Sequence, residues 1–178
     1  LEQLKSREGI LKAKTEMFFY MNPEGDIILN GDDDMLASVK PANHIEPVFF
    51  GLDPDLAYYA DEIENLGLKG TAARFHTPDS EFRAHISIPG AHMVYNALAA
   101  IAVGRVMGMN DKEIRQGIES LAPLAGRNHL IETDNLTIID DCYNANPASM
   151  KASLDVLSKA GGRTVAILGD MFEPGPKE

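Results

Sequence analysis

The feature that most constrains the fold lies in the last quarter of the chain, where two short apolar stretches flank a helical pattern. Residues 136–140 predict a strand, and Asn146 followed by Pro147 is typical of a helix N-cap with proline in the first turn. Gly161 and the glycine after it end that helix, and residues 164–169 predict a second, buried strand. Because parallel strands joined by one helix are the unit of open α/β sheets, we predict an α/β fold.

Three helices are predicted in the preceding residues. Residues 2–21 and 91–107 carry apolar side chains at helical spacing. A third helix should begin after Asn110, because Glu113 three residues later completes a capping box.

Strand patterns occupy the rest of the first two thirds of the sequence. Short strands are predicted at 26–30 and 47–51, and residues 56–88 alternate β-prone stretches with glycine and proline, which favours an antiparallel extension.

The sequence changes character around residues 123–126, where we place a domain boundary. The two predicted domains are 1–124 and 125–178.

Composition excludes several classes of protein. Among the 178 residues, 27 are acidic and 16 basic, giving a net charge of −11, which disfavours a general nucleic-acid binder. No apolar run approaches the ~20 residues of a membrane span. The single cysteine, Cys142, cannot form an internal disulfide and fits a reducing compartment, so we expect a cytoplasmic protein. From the net charge and the short apolar runs we expect neither nucleic-acid nor membrane partners. With no histidine near it in sequence, Cys142 is interpreted as a packed small residue.

Both ends of the sequence look internal. Leu1 enters a helical pattern directly, and only nine residues follow the predicted strand at 164–169. We therefore expect a piece of a longer protein, the alternative being a naturally short chain.

Lys14 lies at an unusual place in the first helical pattern. It is four residues from Ile10, three from Leu11 and four from Phe18, which places its stem in the apolar stripe. Desolvation there would lower the pKa of the amine and favour a nucleophile or a carbamate that ligates a metal. The alternative is a snorkelling lysine whose ammonium reaches water.

Residues 140–147, Asp-Asp-Cys-Tyr-Asn-Ala-Asn-Pro, lead from a strand end to a helix N-terminus. Ligands of open α/β sheets bind at such strand ends, and the helix N-terminus favours an anion. Asp140 and Asp141 could hold ribose hydroxyls or Mg²⁺, and Gly169-Asp170 would open onto the same crevice. The alternative is that Asp140 and Asn146 only cap and turn the chain.

Three other side chains are weaker candidates. His92 and Asn96 are four residues apart on one helix face and could contact a base or a phosphate, or simply be solvated. Arg127 follows a glycine at the domain boundary and could reach a phosphate across a cleft. The sequence contains neither a G-x-x-x-x-G-K-[ST] phosphate loop nor a G-x-G-x-x-G motif, and its five histidines lack metal-ligand spacing.

Several of these motifs resemble the Mur ligases of peptidoglycan synthesis. The runs GILKAKTEMF at 9–18 and ILNGDD at 28–33 are similar to the central domain, and IPGAH with NALAA at 88–100 is similar to its helix-opening motif. Gly126-Arg127 resembles the start of the C-terminal domain, and residues 140–150 resemble the branch that adds D-alanyl-D-alanine. Met93 and Cys142 depart from the usual asparagine and serine.

The resemblance implies the remainder of a central ATPase-type α/β domain, lacking its phosphate loop, followed by the first β-α-β unit of a Rossmann-like domain. It implies an ADP-forming amide ligase that joins D-alanyl-D-alanine to UDP-N-acetylmuramoyl tripeptide through an acyl phosphate. The cofactors would be ATP and Mg²⁺. We expect a monomer, and expect this piece to be inactive alone.

The resemblance also implies roles for individual residues. Lys14 would be carbamylated and ligate Mg²⁺, and Arg127 would reach the phosphates. Contacts on the base and ribose side of the nucleotide are implied for His92, Asn96, Asp141, Asn144 and Asn146.

Two alternative functions remain open. A related ligase of the folylpolyglutamate or cyanophycin type is disfavoured by the Tyr-Asn-Ala-Asn-Pro run at 143–147. A non-catalytic nucleotide-binding or scaffolding module is disfavoured by the presence of both Lys14 and Arg127.

Overall fold

The computed structural model describes residues 4 and 6–172 and contains seven strands and four α-helices in that range. The helices are α1 Arg7–Thr15, α2 Met93–Val106, α3 Asp111–Glu119 and α4 Pro147–Ser158. The strands are β1 Ile28–Asn30, β2 Val48–Gly51, β3 Tyr58–Asn65, β4 Thr71–His76, β5 Glu81–Ile86, β6 His129–Glu132 and β7 Thr137–Asp140. Short 3₁₀ turns occur at Glu16–Tyr20, Leu36–Ser38 and Gly67–Lys69. The predicted mixed α/β fold is confirmed.

The first five strands form one sheet in the order β1-β2-β3-β4-β5. Strands β1, β2 and β3 are parallel, whereas β3, β4 and β5 form an antiparallel meander. The antiparallel extension predicted at 56–88 is therefore correct. Leu29 pairs with Phe49 across the parallel part, and a register shift between Asp61 and Glu64 interrupts the β3–β4 pairing.

Helix α2 packs across this sheet and forms the centre of the core. Val94, Leu98 and Ile101 are completely buried. They are four and three residues apart, the spacing expected of the helix face that points into the core. They meet Phe75 of β4, also completely buried. Each such side chain contributes about 1.5–3 kcal/mol relative to an exposed one. Within residues 4 and 6–172 no helix has the length and apolar character to cross a bilayer.

The residues after α3 form a small second sheet and one helix. Strands β6 and β7 pair as an antiparallel hairpin with Leu130 opposite Ile139. Helix α4 follows β7, and its Val156 is 5% exposed. The predicted strand at 136–140 and the helix beginning at Pro147 are both correct.

The second strand of the predicted β-α-β unit is not formed. Residues 163–172 have no assigned secondary structure, and Val165, Ile167 and Leu168 are 65%, 95% and 60% exposed. A buried parallel strand requires a paired neighbour and cover on both faces. Among the described residues, no strand pairs with this segment, so the prediction of a strand at 164–169 is wrong.

The first helix is shorter than the 2–21 predicted, although residues 1–3 and 5 lie outside the described part of the chain. Helix α1 ends at Thr15, and the chain continues as a 3₁₀ turn through Tyr20. Neither the helix nor the turn contains a buried residue. Because the period changes from 3.6 to 3 at this point, Phe18 no longer lies one α-helical turn beyond Lys14. Lys14 is exposed, which agrees with the alternative of a snorkelling lysine and not with a desolvated amine.

Candidate functional site

The candidate site begins where β7 ends and α4 starts. Asn146 is the N-cap of α4: its side-chain oxygen accepts the Ser149 N–H at 2.9 Å, and the Ser149 hydroxyl oxygen accepts the Asn146 N–H at 3.1 Å. Pro147 occupies the first turn, where its missing N–H leaves no helical hydrogen bond unmade. Asn146 thus fixes the helix start, as its alternative interpretation held, and its side-chain oxygen is already used.

The two aspartates after β7 attach this loop to residues 126–128. Asp140 accepts the Gly126 N–H at 3.0 Å, and Asp141 accepts the Asn128 N–H at 3.1 Å and the hydroxyl of Ser153 on α4. A hydrogen bond from the Cys142 side chain, with that from the Gly126 N–H, lowers the pKa of Asp140. The two carboxylates therefore hold residues 126–128 beside the loop 140–146, and the space between these two segments is called the crevice below.

Arg127 lies over an aromatic ring in this crevice. Its guanidinium carbon is 4.2 Å from the centre of the Tyr143 ring, and the Tyr143 N–H donates to the Gly126 carbonyl at 3.1 Å. Gly126 has φ of 77°, a conformation that favours glycine, and a Cβ there would lie 3.4 Å from Tyr143. The described residues give this exposed guanidinium no carboxylate partner, so its donors are available to an anion.

His92 brings the start of α2 to the same crevice. Burial lowers the pKa of its imidazole, while the charge of Asp141 acts in the opposite direction. A Cβ on Gly90 would lie 2.4 Å from His92 Cε1 and 3.3 Å from Val156 Cγ2, so glycine permits α2 and α4 to approach. The crevice thus brings His92, Arg127 and Asp141 together.

The remaining predicted nucleotide contacts are two asparagines, and both are exposed. The Asn96 amide donates to Met93 Sδ at 3.3 Å, and the Asn144 side-chain oxygen accepts the N–H of Ala145 at 2.9 Å. Neither makes a contact that assigns it to a ligand.

Two buried polar atoms beside Arg127 have no hydrogen-bond partner among the described residues: Asn128 Oδ1 and His129 Nδ1. Asn128 is 8% exposed and has φ of 48°. His129 also lines a cavity of about 420 Å³ with Ser87, Pro89 and residues 121–123. Unsatisfied buried polar atoms are uncommon in native proteins. The available donors of Arg127 fit an anionic group such as the phosphates of a nucleotide.

The described residues do not form a complete magnesium site. No group of three or more His, Cys, Asp or Glu side chains could hold a metal ion in this part of the chain. Lys14 lies on α1, exposed and outside the crevice of Arg127. Mg²⁺ commonly uses one or two carboxylates with water and substrate phosphates, so a carbamate on Lys14 would be one ligand of several.

Sequence reasoning missed three members of the site. Tyr143 was recognised only as part of a motif, and its position under Arg127 depends on the fold. Asn128 and His129 follow Arg127 directly, but their unpartnered buried atoms have no sequence signature. Cys142 is exposed and turned towards Asp140, so its interpretation as a packed residue is wrong.

Two family profiles match the chain. One, described as the Mur ligase middle domain, matches residues 1–104, and the other, described as the Mur ligase glutamate ligase domain, matches residues 126–178. The first alone covers more than half of the 178 residues.

Relatives and solved structures agree with these matches. The UDP-N-acetylmuramoyl-tripeptide–D-alanyl-D-alanine ligase of Bacillus subtilis is 33% identical over all of this chain, which covers 38% of that relative. A crystal structure of MurF from Acinetobacter baumannii superposes with a TM-score of 0.91 at 32% identity, over 99% of this chain and 39% of that one. MurF from Thermotoga maritima in complex with ADP gives 0.84 at 27% identity, over 99% and 40%. The chain spans about two fifths of the length of these relatives, and it belongs to the Mur ligase family.

Proposed function

We propose that this chain is the central part of an ATP-dependent amide ligase that joins D-alanyl-D-alanine to UDP-N-acetylmuramoyl tripeptide. The observation that carries the proposal is Arg127 held over Tyr143 beside Asp141, at the start of α4. An immobilised cation with available donors at a helix N-terminus is suited to phosphate groups. The name of the Bacillus subtilis relative supports the choice of substrates.

The proposed reaction proceeds in two displacements. An oxygen of the tripeptide carboxylate attacks the γ-phosphorus of ATP, and ADP leaves. The amine of D-alanyl-D-alanine then attacks the acyl carbon, the tetrahedral intermediate expels inorganic phosphate, and the amine loses a proton. Both steps bring anions together in a chain of net charge −11, so local cations must offset the repulsion.

Arg127 is proposed to bind the phosphates of the nucleotide, with Tyr143 limiting the freedom of its guanidinium. The ribose lies by Asp141 and the base by His92 and Asn96. Asn144 and Asn146 shape the wall of the crevice, since both side-chain oxygens are engaged within their own loop.

Lys14 is proposed to act as a carbamate. Carbamylation converts a cation into a carboxylate-like group, and the exposed position of Lys14 leaves its amine accessible to carbon dioxide. When bound, Mg²⁺ would neutralise phosphate charge. We further propose that the protein is cytoplasmic and acts as a monomer.

The test is phosphate release by the full-length protein, with ATP, Mg²⁺ and UDP-N-acetylmuramoyl tripeptide, in the presence and absence of D-alanyl-D-alanine. Arg127→Ala and Lys14→Ala are compared with Arg115→Ala, which removes an exposed arginine whose partner is Glu119 on its own helix. We expect dipeptide-dependent release that falls at least about a hundredfold in the first two variants, the size of removing one charge-stabilising group, and is unchanged in the third.

The outcomes separate the alternatives. Release that depends on another acceptor would replace D-alanyl-D-alanine by that acceptor. Nucleotide binding without release would favour the non-catalytic module. Activity that survives Arg127→Ala would remove Arg127 from the phosphate site.

A further inference from the structure

The carboxylate of Asp32 connects the loop after β1 to the end of β2 and to helix α2. Asp32 lies two residues after the end of β1. Its Oδ2 accepts the N–H of Leu52, the first residue after β2, at 2.7 Å. The same oxygen accepts the hydroxyl of Tyr95, on the first turn of α2, at 2.9 Å. A Cβ on Gly51 would lie 2.6 Å from Asp32 Oδ1, so the carboxylate packs against the Gly51 backbone at a distance that leaves no room for a side chain.

The loop around Asp32 is itself ordered by its neighbours. The Asn30 side chain accepts the Asp32 N–H at 3.0 Å, and Asp33 accepts the N–H groups of Met35 and Leu36 at 3.0 and 2.9 Å. Tyr95 therefore hydrogen-bonds to a carboxylate that is already held in place.

The first turn of α2 has no side-chain cap. His92, at the N-cap, makes no capping hydrogen bond, and the first N–H groups bond three residues back instead. Among the described residues, Tyr95 supplies the side-chain hydrogen bond from this turn to the sheet. Asn96, the next residue, is exposed and bonds only to Met93 within its own turn.

We propose that Tyr95 is a positioning residue: its hydrogen bond to Asp32 fixes the first turn of α2 and thereby places Asn96 and His92 against the nucleotide. The inference rests on the proposed nucleotide site. Helix α1, which carries Lys14, reaches the same loop through the ion pair of Arg7 with Asp34. Asp32 and Asp34 thus connect the helix that carries Lys14 to the helix that carries Asn96.

The test compares Tyr95→Phe with Tyr59→Phe in the full-length protein. Tyr59 is the matched control, because its ring stacks on His76 at 4.1 Å and its hydroxyl makes no hydrogen bond in the described part of the chain. We expect Tyr95→Phe to raise KM for ATP and Kd for ADP roughly three- to tenfold, the size of one lost hydrogen bond. The kcat and the KM for D-alanyl-D-alanine should stay within about twofold, and Tyr59→Phe should match the wild type.

A second pair of variants tests whether Tyr95 acts through Asp32. Asp32→Asn keeps an acceptor oxygen and should retain wild-type KM for ATP, whereas Asp32→Ala should raise it as Tyr95→Phe does. Because Asp32→Ala already removes the acceptor of the Tyr95 hydroxyl, together with that of the Leu52 N–H, the double variant Tyr95→Phe/Asp32→Ala should be no worse than Asp32→Ala alone.

The results distinguish this inference from the proposed function. Equal KM values for ATP in Tyr95→Phe and Tyr59→Phe, in an active ligase, would overturn the positioning role alone. Equal losses in kcat and for both substrates would also overturn it, since that pattern reports general destabilisation. A wild-type protein that binds ADP without ligase activity would overturn the proposed ligase function. The Kd for ADP of Tyr95→Phe, compared with that of Tyr59→Phe, would then support or overturn the positioning role. A wild-type protein that binds no ADP would overturn both.

Discussion

The guanidinium of Arg127 lies 4.2 Å above the ring of Tyr143, on the loop between β7 and α4. The ring attracts the cation without using its N–H donors, so Arg127 is held in place while those donors remain available to a ligand. Since Tyr143 is 70% exposed, the contact contributes little to core packing. Its consequence should therefore appear in binding more than in stability.

Replacing the ring beneath Arg127 should weaken nucleotide binding. For Tyr143→Ala in the full-length protein we expect KM for ATP to rise by about twofold to fivefold, the equivalent of an exposed cation–π contact of ~0.5–1 kcal/mol. Tyr143→Phe keeps the aromatic face and should retain wild-type KM. Steady-state kinetics at varied ATP checks both variants, and equal behaviour of the two would show that the ring is not what holds Arg127.

Gly51 should be intolerant of even one added carbon. A Cβ would lie 2.6 Å from Asp32 Oδ1 and 2.7 Å from Leu56 Cδ1, and Asp32 is held by Leu52 and Tyr95. We expect Gly51→Ala to lower the free energy of unfolding by about 1–3 kcal/mol, the usual result of overpacking. Denaturant unfolding of the wild type and the variant measures this difference.

The control for Gly51 is another glycine with open space around it. Gly117 lies in α3, and a Cβ there would meet nothing within 4 Å. Gly117→Ala should leave stability unchanged or raise it by up to about 1 kcal/mol, because alanine favours the helix. A loss in both variants would indicate that the crowding at Asp32 is not the cause.

Local sequence signals predicted the local structure well. The capping box of α3 and the Asn146 N-cap of α4 are formed as expected, because each involves a polar side chain and a backbone group three residues away. The antiparallel meander could likewise be predicted from glycine and proline between short β-prone stretches.

Predictions that depend on the surroundings of a segment were less successful. Lys14 is exposed on a helix none of whose residues is buried, which helical spacing alone does not reveal. The apolar run at 164–169 forms no strand because the described residues supply no partner for it. The contacts Arg127–Tyr143 and Asp32–Tyr95 join residues on different elements, so no spacing rule could find them.

Arg105 should contribute more to stability than an exposed arginine does. Its side chain is 17% exposed and contacts Asp111, the exposed Asp79 at 3.2 Å, and the hydroxyls of Ser80 and Thr77. We expect Arg105→Met to lower the free energy of unfolding by about 2 kcal/mol, because partly buried acceptors would lose a charged donor.

The matched control is Arg115→Met, which removes an exposed i,i+4 pair with Glu119 at 3.4 Å. Such pairs contribute about 0.3–0.5 kcal/mol, so this variant should be close to wild type in denaturant unfolding. Similar losses in both variants would mean that the Arg105 cluster behaves as an ordinary surface ion pair.

His92 should make stability depend on pH. Burial lowers its pKa in the folded state, so the unfolded state takes up a proton first as the pH falls. The contribution of the neutral His92 imidazole to the free energy of unfolding is therefore fully present above the unfolded pKa of about 6.5. It declines as the pH falls below that value and levels off below the pKa of the folded state. His92→Gln, which cannot be protonated, should lose less stability than the wild type between pH 7.5 and pH 5.5 in denaturant unfolding, whereas His44→Asn, at an exposed histidine, should follow the wild type. Parallel curves for the wild type and His92→Gln would show that protonation of the imidazole is not opposed by the fold.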